Sequence, residues 1–70
     1  MNNDRSQLSG LRAEIKLHRE QTQRIREGIR AARAAKDRMA AFRAQLALNE
    51  RLRMIRDREL LIKEIKERQP

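Results

Sequence analysis

The sequence predicts an all-α protein built on a single long amphipathic helix. That helix is coiled-coil-like, with a bend or a helical hairpin as its variant, and it needs a partner to bury its apolar stripe. Three observations predict this. From Leu11 to Gln69 the chain is dominated by Ala, Leu, Arg, Glu, Gln, Lys and Met, the strongest helix formers. Proline occurs only as Pro70, and glycine only as Gly10 and Gly28. Apolar residues recur at alternating spacings of three and four, the period of one helical face. Charged residues make up 40% of the 70 residues, against about a quarter in an average domain. Such a composition also fits a disordered chain, but the helix formers and the apolar period favour helix.

Taken in order, residues 1–8 are expected to form an arm and helix cap, residues 9–46 a basic amphipathic helix, and residues 47–70 a second amphipathic segment with a shifted apolar face. Asp4, Ser6 and Ser9 are the available N-caps; Asp4 with Gln7 has capping-box spacing, and Ser9 suits a later start. Leu8, Leu11, Ile15, His18, Thr22, Ile25, Ile29 and Ala32 then trace a heptad seam, with His18 and Thr22 as its weak layers. The stripe continues through Ala35, Met39, Phe42 and Leu46. Near residues 46–49 the phase breaks. Leu48, Leu52, Ile55 and Ile62, flanked by Met54, Leu61 and Ile65, lie roughly opposite the Met39/Phe42/Leu46 face at about 100° per residue.

A helix whose stripe changes side explains the break, and so does a hairpin turning near Lys36-Asp37 or near Asn49. Neither turn site carries the Gly or Pro of a strong turn signal, which ranks the unbroken helix first. It would be about 90 Å long at ~1.5 Å per residue. Glu20–Arg24, Glu59–Lys63 and Glu64–Arg68 are favourably ordered i,i+4 pairs, each worth about 0.2–0.5 kcal/mol. Glu14–His18 reads as a further surface pair at the same spacing. Partner choice falls to the stripe: Leu11, Ile15, Ile25, Ile29, Met39, Phe42, Leu46, Leu52, Ile55, Ile62 and Ile65 are the expected helix-packing residues.

The formal net charge is +8. Residues 21–46 carry seven cations against two acids, whereas the flanking thirds are closer to balance. Fourteen of the 18 cations are Arg, the better bidentate ligand for phosphate or carboxylate. Arg12, Lys16, Arg19, Arg26, Arg30 and Arg33 recur along one flank beside the seam. Arg19, Arg26, Arg30, Arg33, Lys36, Arg38 and Arg43 are therefore the candidate contacts to nucleic acid or another polyanion. A solvated or salt-bridging coiled-coil flank is the competing reading. An interfacial membrane helix fits less well, because Trp is absent and Phe42 is the lone aromatic anchor.

Catalytic constellations are missing from the sequence. His18 lies on the seam, there is no Cys or Tyr, and no glycine-rich phosphate loop occurs. No catalytic residue, cofactor or metal is expected, since metal sites need several ligands in defined geometry. No zinc-finger, homeodomain or RNA-recognition signature occurs. The leading expectation is a non-enzymatic assembly component of a virion-associated or nucleoprotein-accessory type. It docks to protein, self or another, through the stripe and meets nucleic acid or an acidic surface through the Arg flank. A coiled-coil adaptor or regulator of a protein machine is the alternative. With neither a signal-peptide core nor an apolar span of ~18 residues, the expected location is intracellular, cytoplasmic or packaged in a particle.

Overall fold

A computed structural model of the chain describes residues 2–69, with side chains from residue 3. It is an antiparallel helical hairpin: α1 (Asn2–Ala34) and α2 (Arg38–Arg68) pack along their lengths in a body of 53 × 14 × 11 Å. The all-α expectation holds, and the hairpin replaces the unbroken helix that the missing turn signals had favoured. The chain divides at residues 35–37, inside the 9–46 segment expected to be one helix, and not at 46/47. α1 already runs from Asn2, so Ser6 and Ser9 lie within it and cap nothing. Asp4 sits in its first turn, where a carboxylate opposes the positive end of the helix dipole.

The reversal is made without glycine or proline. Lys36 takes a left-handed conformation, φ 58°. Its amide donates to the Arg33 carbonyl at 3.0 Å, and the Asp37 amide donates to the Ala32 carbonyl at 2.8 Å. These two bonds define a Schellman close, which satisfies carbonyls that a helix end leaves unpaired. Asp37 then opens α2: its carboxylate accepts from the Ala40 amide at 3.1 Å, the standard N-cap bond. A turn signal was therefore present in Asp37, but a lysine stands where glycine is usual.

The seam of α1 becomes the core. Leu8, Ile15, His18, Thr22 and Ile29 are buried, with Leu11, Ile25 and Ala32 partly covered. The facing line on α2 runs Ala41, Ala44, Leu48, Arg51, Ile55, Arg58, Ile62 and Ile65, also at spacings of three and four. Leu48, Ile55 and Ile65 are buried on it. Arg51 and Arg58 occupy heptad positions, so a search by apolar letters alone misses the register and steps to Leu52. The apparent phase break is this misreading combined with the reversal. Met39, Phe42, Leu46 and Leu52, expected at the packing interface, are exposed, because α2 turns its Ala41/Leu48/Ile55 face inward.

Two predictions follow from this geometry. Lys36→Gly should stabilise the hairpin by about 1 kcal/mol in urea unfolding, since glycine adopts the left-handed region without the Cβ penalty. Ile29→Asp should cost about 3 kcal/mol or more, an uncompensated charge in the core, enough to abolish helical circular dichroism. Ala31→Asp, exposed on the same helix, should cost under about 1 kcal/mol.

Candidate nucleic-acid interface

Folding the chain back on itself turns a linear charge bias into an axial one. The turn end, residues 28–46, carries Arg30, Arg33, Lys36, Arg38 and Arg43 against the single acid Asp37. At the other end, residues 3–14 and 59–69 carry five cations and five acids. The field of the molecule therefore strengthens towards the turn.

The arginine flank of α1 forms one wall of the furrow between the helices. Near the balanced end, Arg12, Lys16 and Arg19 line a depression of about 450 Å³ opposite Glu59 and Ile62. Further along, Arg19, Arg26 and Arg30 line a second of about 450 Å³ against Leu52 and Ile55. At the turn, Arg33, Lys36 and Arg38 surround a third of about 540 Å³ beside Phe42. Six of the seven expected contacts thus share one side of the hairpin; Arg43 lines none of these three depressions and stands apart. Arg19 reaches Glu59 at 3.7 Å, with both side chains more than half exposed, so the pair adds little stability. Arg26, Arg30, Arg33, Lys36, Arg38 and Arg43 form no ion pair among the described residues.

Other cations are committed to the fold itself. Arg58 donates through Nε to Glu14 Oε2 at 2.8 Å and through Nη1 to the Met54 carbonyl at 3.2 Å. Arg51 Nη1 lies 3.0 Å from His18 Nδ1. Guanidinium only donates, so in this contact the ring nitrogen is the acceptor. Thr22 Oγ1 donates to the His18 carbonyl at 2.7 Å. His18 and Thr22 are therefore part of a polar layer completed by Arg51. Glu14 and His18 each face a partner on α2, and the ion pair that Glu59 forms is with Arg19. Sequence reasoning missed these cross-helix partners; antiparallel pairing of two heptad lines would have brought 14 opposite 58.

Among the described residues no cluster of three potential metal ligands occurs, and no helix is long and apolar enough to cross a membrane. No family model, curated protein or solved structure matches the chain.

The polar layer generates its own prediction. Replacing His18 and Arg51 together by Leu should raise stability by about 1–3 kcal/mol, because a buried polar pair is often outperformed by packed apolar groups. The two single leucine variants should sum to less than the double, since each leaves one polar group facing an aliphatic one. A double-mutant cycle in urea measures this coupling.

Proposed function

We propose that this chain is a non-enzymatic, basic helical hairpin that contacts a nucleic-acid backbone as a component of a larger assembly, of a virion-associated or nucleoprotein-accessory type. The observation that supports this reading is the arginine wall. Arg26, Arg30, Arg33, Lys36 and Arg38 line one side, where Glu27 and Asp37 are the acids, and none of these five cations forms an ion pair among the described residues. From Arg26 to Arg33 this unpaired stretch runs about 10 Å along α1. Guanidinium groups held on a helix meet phosphate oxygens in bidentate fashion. Contacts of this kind position a protein on the backbone without reading bases.

A second reading, an adaptor that uses charge only for pairing and solubility, draws support from the cross-helix pairs Arg58–Glu14 and Arg19–Glu59. Salt dependence separates the two. Each neutralised phosphate releases counterion, so log affinity should fall with log salt at about −0.9 per contact on duplex DNA. Replacing Arg26, Arg30 and Arg33 by Gln should flatten that slope by roughly 2–3 units without changing sequence preference. An unchanged slope in a folded triple variant would hand the case to the adaptor.

A further inference from the structure

The first turns of α2 are apolar on two faces. Inward, Leu48 is buried and Ala41 and Ala44 are partly covered. Outward, Met39 is 61%, Phe42 60% and Leu46 53% exposed. A helix that is apolar all round is a buried helix, yet the hairpin covers only the inner face of this one. The outer strip is short: after Leu46 the same face passes to Asn49, Arg53 and Asp57. The apolar part is therefore about two turns, ~11 Å, long.

We propose that this strip docks an acidic amphipathic helix of a protein partner, laid across α2 at the turn end. Its rim is predominantly basic: Lys36, Arg38 and Arg43 outnumber Asp37, whose carboxylate accepts from the Ala40 amide, and Glu50, one turn beyond Leu46. A second copy would bring the same cations face to face. A lipid surface calls for an apolar face along the helix, whereas this face becomes charged at Arg53 and Asp57. A phosphate backbone gives Phe42 nothing to bury against. Helices packing at a crossing angle meet over a short stretch at 8–10 Å, which suits a two-turn strip. The partner helix thus supplies Leu or Ile at i, i+3, i+4 and i+7 to Met39, Phe42 and Leu46, with Glu or Asp flanking them towards Arg38 and Arg43. Lys36 and Arg38 belong to the arginine wall as well, whereas the apolar anchors Met39, Phe42 and Leu46 do not, so dependence on Phe42 separates this contact from the nucleic-acid one.

The test is a fluorescence-anisotropy titration of the full chain with a labelled synthetic peptide of about 18 residues, five turns. It carries Leu at i, i+3, i+4 and i+7 and Glu or Ala elsewhere; a scrambled peptide of the same composition is the control. Saturable binding is expected, weakened about tenfold or more by Phe42→Ala and by scrambling, as for removal of a central anchor. Arg38→Gln with Arg43→Gln should weaken it further and reduce its salt dependence. An Arg26→Gln, Arg30→Gln variant, altered away from Phe42, should bind the peptide unchanged. Phe42 is exposed, and circular dichroism verifies that each variant keeps its helix. Equal binding of the scrambled peptide, no binding, or indifference to Phe42→Ala overturns the proposal. So does a Phe42-dependent dimer in light scattering, or Phe42-dependent adsorption to phosphatidylserine vesicles, without peptide binding.

Discussion

The Asp37 amide closes α1 on the Ala32 carbonyl while the Asp37 carboxylate opens α2 on the Ala40 amide. One residue thus serves as the last donor of one helix and the cap of the next. With only Ala35 and Lys36 between Ala34 and Asp37, the second helix has little freedom in how it returns. The facing of α2 follows: Ala41, Leu48 and Ile55 turn inward, and Met39, Phe42 and Leu46 outward. The part-covered seam residues next to the turn, Ala32, Ala41 and Ala44, are all small.

Two helices bury one stripe each, and here neither encloses any side chain completely among those described. Isolated helices are marginal in water, so the shared seam supplies most of the cohesion. Each buried Ile or Leu contributes about 1.5–3 kcal/mol relative to exposure. Against this, Arg51, His18, Thr22 and Arg58 occupy the middle of the seam. A polar layer costs stability relative to leucine but penalises a shifted pairing, which would leave Arg51 and Arg58 facing aliphatic side chains. Buried polar positions set register in this way in coiled coils.

The same closure separates two kinds of cation. Arg58, Arg51 and Arg19 reach across the hairpin and are engaged by Glu14, His18 and Glu59. Those nearer the turn face solvent. Around the turn the free cations coincide with the uncovered apolar strip, so the part of the molecule least satisfied by its own fold carries both of its proposed contacts.

Local composition determined that the chain is helical, because helix propensity and a seam from Leu8 to Ala32 are properties of neighbouring residues. It also located the charge excess, which is a count. It could not determine where the chain reverses. Lys36 in a left-handed conformation is unfavourable by itself and is tolerated only because two returning amides and the packing of α2 hold it there. Nor could it show that Arg51 and Arg58 lie on the seam. A guanidinium reads as surface until Glu14 and His18 stand opposite it, and that opposition exists only once residues more than 30 positions apart are brought side by side. The exposure of Met39, Phe42 and Leu46 was decided in the same step. As letters they continue the apolar stripe, but a helix in a two-helix hairpin has one inner face, and the turn assigned it to the other side.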